Sequence, residues 1–502
     1  MAKLVEPSSW PNPKRYSEYA CLSYCWGEFI PECITTKASY DENMRVISSK
    51  KLPRTFSDAV TFCRAIGFRY LWIDSCCIIQ DDPSDWNARA PEMHGIYKNS
   101  TLTVAATASQ SGEGGCFQKL DEKYRERPLQ LSTDSREKLG LAVEAKLWTR
   151  LIFPHNLSDM PLLRRGWVYQ ERLLSPRIVH FTANELMWEC RGEILCSCSE
   201  NGVFPASEDP RYGPPVKKKH FWAKGLLKSI FLMRESLQKR WYETVQEYTS
   251  LALSFGKDKL PALAGLAKEM EISLRESSAS LCYADTLYIN GLWRDTFLDD
   301  MIWFVDRPEN IQRMPLQWRS PSWSWASVDS PISYPQRSSI EEKFLPLPEL
   351  ALSTDIPTPT YVVLTGKAAV AVLACENGTS DAGIPAYMVK ISRQTNPVFL
   401  DYHRFGPRSM ARVDLYGDAY CLELGFFEGS GTRYFLLLAR TQNLKPDSWR
   451  NEDLAAELEL WRYRSNSEPK LVRRIGLAVV GPDNDFLQSF QQSCCKETFI
   501  VV

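Results

Sequence analysis

The sequence predicts an α/β protein: an N-terminal parallel sheet flanked by helices, then a mixed helical and tryptophan-rich region, then a mainly antiparallel β module. Three observations carry this expectation. Over about the first 205 residues, short apolar runs of strand character alternate with segments of helical period, the pattern of a parallel sheet with crossover helices. From about residue 345 onward, short apolar runs alternate with turns, which is the antiparallel pattern. The chain has 502 residues, well past the ~300 at which one hydrophobic core stops growing. The expected divisions are residues 1–205, a linker and helical segment at 206–280, a Trp-rich region at 281–345 and a β-rich domain at 346–502.

The elements follow in order. Tyr19 to Tyr24 (YACLSY) reads as a short buried strand. Phe56, Ala59, Val60, Cys63 and Ile66 are spaced for one face of a helix over 55–66, with Thr55 and Asp58 as a capping box and Gly67 as terminator. Tyr70 to Ile73 (YLWI) returns as a strand ending at Asp74. A second helix fits Pro83 to Lys98, with Trp86, Ala90, Met93 and Tyr97 on one face and Asp82 as its cap. Pro91 lies inside that span, so the helix should kink or start later. Thr101 to Thr107 reads as a third strand opening into the loop SQSGEGGC, Ser109 to Cys116. Arg165 to Leu174 reads as a helix, followed by strand candidates RIVHFT and ELMWEC; residues 200–220 have linker composition.

Composition narrows the class. The 60 Lys+Arg nearly balance 61 Asp+Glu, so no global field draws the chain to nucleic acid or an anionic membrane. No run reaches the ~20 apolar residues of a spanning helix, and the N-terminus lacks a secretory core, which makes a cytoplasmic protein the expectation. The 15 cysteines are odd in number and mostly set in apolar runs, as reduced buried thiols would be. Cys190, Cys196 and Cys198 cluster, but no second paired arm completes a zinc site. The basic run containing Lys217, Lys218 and Lys219 reads as solvated linker or as a surface for an anionic partner.

Ligands of an open parallel sheet bind beyond the carboxyl ends of its strands. Three segments should meet there: Tyr24-Cys25-Trp26-Gly27 after the first strand, Asp74 with Gln80, Asp81 and Asp82 after the second, and Gly112, Gly114 and Gly115 after the third. The amides of those last glycines are candidates for approach to a phosphate. Each segment has a structural alternative: a packed turn at Trp26-Gly27, amide bonding at Asp74, helix capping at Asp82. On the later helix, Trp167, Glu171 and Leu174 share a face. A carboxyl against apolar walls has a raised pKa and suits proton transfer; the alternative is an ion pair with Arg164, Arg165 or Arg172. Five histidines offer no Cys–His or Ser–His pairing, and neither a Walker ending nor a Gly-x-Ser-x-Gly elbow occurs.

In this order the segments resemble the fungal heterokaryon-incompatibility (HET) domain. The resemblance rests on Leu22 to Gly27 (LSYCWG), Leu71 to Asp82 (LWIDSCCIIQDD), Met93 to Tyr97 (MHGIY) and Arg165 to Leu174 (RGWVYQERLL). Later stretches, Asp258 to Ala262, Gly291 to Trp293 and Pro321 to Ala326, resemble blocks that follow the domain in large members. Two places depart from the family: Ile79 stands where an Asn is usual, and Asp85 and Arg89 where Glu and Gln are. The resemblance implies a fungal intracellular protein with a TIR-like fold, whose relatives signal cell death and in some cases cleave NAD.

On that basis Glu171 and Asp74 are the candidate catalytic residues. Tyr24, Trp26, Gly27, Gln80, Asp82, Trp167 and Gln170 are candidates for binding substrate. No cofactor is assigned; NAD or another small molecule is the candidate substrate, with no nucleic acid and no membrane span. The implied role is self/non-self recognition ending in programmed cell death, with a homo-oligomer or an allorecognition partner. A second reading is an enzyme acting on a small molecule in fungal secondary metabolism, its apolar pocket built from the abundant Trp and Cys. A third is a non-catalytic binding scaffold.

Overall fold

The structure is a computed structural model of the chain. It describes residues 2–6, 18–28, 30–132, 135, 138–140, 142, 146–149, 160–191, 194–197, 230–277, 288–305, 319–335, 343–352, 361–379, 385–391, 394–401, 416–440 and 470–502. The expected division near residue 205, the linker at 200–220, the Lys217–Lys219 run and Cys198 lie outside the described residues. The chain forms two compact units, residues 1–222 with 261–266, and residues 223–260 with 267–502.

The first unit contains β1 (Tyr19–Ser23), α1 (Tyr40–Arg45), α2 (Arg54–Ala65), β2 (Tyr70–Trp72), α3 (Asp74–Cys77), α4 (Pro83–Arg89), α5 (Met93–Asn99) and β3 (Leu102–Ala105). After a small antiparallel pair, β4 (Arg127–Leu129) and β5 (Leu147–Thr149), come α6 (Gly166–Leu174), β6 (Arg177–Phe181), β7 (Leu186–Cys190) and β8 (Ile194–Cys196). The sheet order is β2-β1-β3-β6-β7-β8. The first four strands are parallel, in registers such as Cys21 to Trp72, Leu22 to Val104 and Val104 to Val179. Strands β7 and β8 return antiparallel. Central parallel strands are covered on both faces and read as continuous apolar runs; accordingly Ala20 to Ser23 and Leu102 to Ala105 are all buried.

Strand alternation sends successive side chains to opposite layers. Ala20, Leu22 and Val104 pack with Phe56, Ala59 and Cys63 of α2 on one face. Cys25, Ala105 and Ile178 pack with Leu162 and Val168 on the other. This places α2 and α6 against opposite layers of the sheet. Helix α2 ends as expected at Gly67, whose φ of +89° is the left-handed backbone that glycine adopts without strain. Ile66, expected on the buried face, is instead exposed at the helix end. Pro91 divides the next helix: α4 stops at Arg89, a 3₁₀ turn covers Ala90–Glu92, and α5 restarts at Met93. Asp82 caps α4 by accepting the Ser84 N–H.

The start of α2 differs from its expected capping box. Pro53 is the N-cap, and Thr55 and Asp58 hold the glycine loop instead. Gly115 N donates to Thr55 Oγ1 at 3.0 Å, while Thr55 Oγ1 donates to Ser111 O at 3.3 Å. Asp58 Oδ2 accepts from Cys116 N at 2.9 Å and Phe117 N at 3.2 Å. The amides of Gly114 and Gly115 are thus engaged within the protein, which corrects the role at a phosphate expected of these two glycines. The glycines serve close packing: a Cβ on Gly114 would fall 1.9 Å from Ser109 Oγ.

In the second unit, α7 (Ile230–Thr249) and α8 (Pro261–Ser277, its first six residues grouping with the first unit) precede a tryptophan-rich stretch with β9 (Tyr288–Ile289), β10 (Leu292–Trp293) and α9 (Phe297–Asp300). Trp241, Tyr288 and Trp293 pack ring on ring with centroids 5.0–5.5 Å apart. Beyond lie β11 (Phe344–Pro346), β12 (Glu349–Ala351), β13 (Val362–Thr379), β14 (Pro385–Ile391), β15 (Gln394–Leu400), β16 (Tyr416–Phe427), β17 (Arg433–Arg440), β18 (Lys470–Val480), α10 (Asp485–Ser493) and β19 (Cys495–Val501). These strands form one sheet that is antiparallel except for the β18–β19 pairing. Phe486 and Phe490 of α10 pack on Phe435. Fully buried Arg474 pairs with Asp401, donates to the carbonyls of Met301 and Trp303, and lies over the Trp303 ring. Among the described residues, no helix is long and apolar enough to cross a membrane.

The engagement of the glycine loop by Thr55 gives a direct test. Thr55 is fully buried, so Thr55→Val leaves the Gly115 N–H without its acceptor at almost unchanged volume. The variant is expected to lose about 1–3 kcal/mol in urea unfolding, with Thr55→Ser close to wild type.

Candidate functional site

Strand β1 ends at Ser23 and its chain continues as Tyr24, Cys25 and Trp26 across the carboxyl edge of the sheet. Trp26 Nε1 donates to Asp74 Oδ2 at 2.8 Å, and Tyr24 OH donates to Ser75 Oγ at 2.9 Å. The Tyr24 and Trp26 rings lie nearly parallel, 12° apart, with centroids 6.4 Å from each other. Asp74 opens α3 one residue past Ile73, and its Oδ1 accepts the Ser75 N–H at 2.6 Å. Burial raises the Asp74 pKa, while the Trp26 indole, the Ser75 amide, Tyr24 and Arg165 oppose the rise. Asp74 therefore does bond a backbone amide, the structural alternative, and it also faces the first turn.

Glu171 comes to the same region from α6. Its residue is only 7% exposed, and its Oε2 accepts the Ser23 hydroxyl at 2.6 Å. Burial raises its pKa to about 7. The Ser23 hydrogen bond opposes that rise, the Asp74 charge adds to it, and Arg165 and the Tyr97 hydroxyl oppose it. An ion pair with Arg172 is not what holds Glu171, because the Arg172 guanidinium is paired with Glu189 at 2.8 and 3.0 Å. Burial would raise Glu189 as well, but Arg172 and His180 overcome it and hold that carboxyl well below its usual range. Arg165, the N-cap of α6, donates from Nη1 to the Tyr24 carbonyl at 2.7 Å, tying the start of α6 to the β1 turn.

The remaining predicted residues are placed as follows. Trp167 is partly exposed and meets Trp86 of α4 edge to face at 6.5 Å. Gln80 Nε2 donates to the carbonyls of Ile78 at 2.9 Å and Asp74 at 3.3 Å, closing the turn behind the acidic tip. Asp82 is committed to capping and to Lys37 at 3.3 Å; the Ser84 hydroxyl and amide hold its pKa at about 2. Gln170 is buried, and its Oε1 accepts the Gly265 N–H at 2.8 Å. Gly27 has φ +72°, and a Cβ there would lie 2.5 Å from Ser111 Cβ, so this glycine is required by the approach of the neighbouring loop.

Tyr24, Trp26, Asp74 and Glu171 are thus linked at one edge, whereas Asp82 and Gln170 are engaged elsewhere. Sequence reasoning did not single out Ser23, Tyr97 or Trp86, and it weighed Arg165 only as an ion-pair partner. A polar residue ending an apolar strand was the available signal for Ser23. His180 is the central member of a buried hydrogen-bonded chain from Thr107 to Glu189. Among the described residues, no group of three His, Cys, Asp or Glu side chains is arranged to hold a metal ion.

The first unit is of the open, mainly parallel α/β class, with a buried carboxyl at the carboxyl edge of its sheet, the edge where such folds gather ligands. Within that class the family is specific. Residues 19–171, less than a third of the 502, match the family model described as Heterokaryon incompatibility protein (HET), so the chain carries a HET domain in its N-terminal part. No curated protein and no solved structure matches the chain.

The raised pKa of Glu171 makes stability depend on pH. With a folded value of about 7 against an ordinary 4.5, the fold favours the protonated acid. Its contribution is complete below about pH 4.5 and is lost as pH rises through about 7. Glu171→Gln removes that loss, so the variant should gain on wild type between pH 5 and pH 8 by on the order of 3 kcal/mol. Urea midpoints measured across this range would show parallel curves if the carboxyl were not buried.

Proposed function

We propose that this HET-domain protein acts in fungal self/non-self recognition that ends in programmed cell death, and that its N-terminal domain cleaves NAD. The observation that carries the reading is Glu171: a carboxyl buried at the sheet edge, poised near neutrality, with a second carboxylate, Asp74, and partly exposed indoles close by.

Breaking the bond between nicotinamide and the ribose C1′ leaves positive charge on the sugar, and a preorganised carboxylate stabilises it as it develops. In this reading ionised Glu171 faces that charge, held in place by the Ser23 hydroxyl. Asp74 keeps the local potential negative. Trp26 and Trp167 offer flat surfaces for the rings. Water adds at C1′ as nicotinamide leaves with the bonding pair, and the proton released from water passes to solvent. The products are nicotinamide and ADP-ribose.

Because the ionised carboxylate is the working form, kcat/KM for NAD should rise with pH and level off above about 7. Purified protein incubated with NAD should release nicotinamide, and Glu171→Gln should lower kcat by ~100-fold or more while leaving KM within a few-fold. Asp74→Asn should shift the pH midpoint downward, since it removes a neighbouring negative charge. Intact NAD after incubation with the wild-type protein would sink the catalytic reading.

A specific feature favours a second reading, an enzyme acting on a less polar small molecule in secondary metabolism. Ile79 puts an alkyl side chain where the family carries an amide, beside the acidic tip. Its backbone N–H donates to Asp85 Oδ2 at 2.8 Å and its carbonyl accepts the Asp82 N–H at 3.2 Å, so both main-chain polar groups are engaged. Product analysis in a strain lacking the gene separates the two: loss of a metabolite supports the second, loss of an incompatibility reaction the first.

A further inference from the structure

Cys33 and Cys76 are 43 positions apart yet share one apolar cluster at the edge of the sheet. Cys76 Sγ lies 3.6 Å from the Cys33 carbonyl oxygen. The backbones on either side are pinned. Thr35 N donates to Ser75 O at 3.0 Å, Thr35 Oγ1 donates to Cys76 O at 2.6 Å, and Asn43 Nδ2 donates to Thr35 Oγ1 at 3.1 Å. A disulfide needs its Cβ atoms about 3.5–4.5 Å apart. With the backbones held together at the next residues and the Cys76 sulfur against the Cys33 carbonyl, side-chain rotation brings the two thiols toward that spacing.

Access and reactivity differ between the two partners. Both are buried, at 1% for Cys33 and 5% for Cys76. Cys33, however, sits in a segment outside helix and strand, between exposed Glu32 and half-buried Ile34. Ile34 N to Pro31 O, at 3.3 Å, is a long bond across this turn. Segments of that kind open locally at small cost, which admits a small oxidant. The neighbouring Cys76 side chain lowers the Cys33 pKa, favouring the nucleophilic thiolate. Burial raises the thiols of Cys21, Cys25, Cys63 and Cys116 in the same domain, so Cys33 stands apart from its neighbours.

We propose that Cys33 and Cys76 are a redox modification site, closing to a reversible disulfide on exposure to a peroxide. The Cys33 thiolate attacks one peroxide oxygen, the O–O bond breaks, and the departing hydroxide takes a proton to become water. The Cys76 thiol then displaces the hydroxyl from the Cys33 sulfenic acid as a second water. Two thiols are oxidised by two electrons and one peroxide is reduced to two waters. The bond would tie the loop at 31–35 to α3, the short helix that carries Asp74 and Ser75. The proposal stands on this geometry whether or not the domain cleaves NAD.

The full-length protein is treated with hydrogen peroxide, its remaining thiols are capped with N-ethylmaleimide, and the digest is analysed without reduction. The expected result is a peptide pair joining Cys33 to Cys76, lighter than its parts by two hydrogens and separated by dithiothreitol. Cys77→Ser removes the adjacent thiol and should leave the link unchanged, while Cys33→Ser should abolish it. Recovery of both Cys33 and Cys76 as maleimide adducts after peroxide would overturn the proposal, as would a link from Cys33 to Cys77 instead.

Discussion

The hydrogen bond between Ser23 and Glu171 is the interaction on which the N-terminal domain turns. It joins the end of the central strand to the helix that covers one face of the sheet. Burying a carboxyl is costly unless it is hydrogen-bonded or neutralised. Here it is bonded by Ser23, approached by Tyr97, and poised to hold a proton near neutrality. Because Arg165 at the start of the same helix bonds the Tyr24 carbonyl, the turn after β1 and the carboxyl are positioned together. That coupling holds the turn and the carboxyl as one unit.

The acidic tip at Asp74 completes the edge by a different route. Trp26 reaches across to the Asp74 carboxylate, and Tyr24 reaches to the next residue, Ser75. Two aromatic residues on the first strand's turn therefore set the place of the second strand's turn. The glycine loop adds no polar group to this arrangement. It packs on α2 through Thr55 and Asp58 and approaches Gly27 through Ser111, so Gly114 and Gly115 answer to steric closeness.

Much of this was legible in the chain, for physical reasons that differ by element. Strands β1 and β3 are buried on both faces, and a continuous apolar run is how that condition is written in sequence. Pro91 marked the break between α4 and α5 because a ring nitrogen has no hydrogen to donate. Asp82 was readable as a cap from the Pro that follows it. The site was legible only in part. Glu171 stood out as an acid between apolar neighbours on a helix, and Asp74 as an acid at a strand end. Ser23 and Tyr97 carry no such contrast, and the capping box at Thr55 and Asp58 was misread, since local spacing cannot see a loop from more than fifty residues away.

By itself the sequence determined the class of each layer: periodicity sets which faces are apolar, and apolar faces must be covered. It also carried the match of residues 19–171 to the HET family model. Only the tertiary structure decided which polar groups pair: Arg172 with Glu189, Glu171 with Ser23, Gln170 with Gly265. The reason is that hydrogen bonds and pKa values depend on distances between segments remote along the chain, and those distances exist only after the sheet has closed.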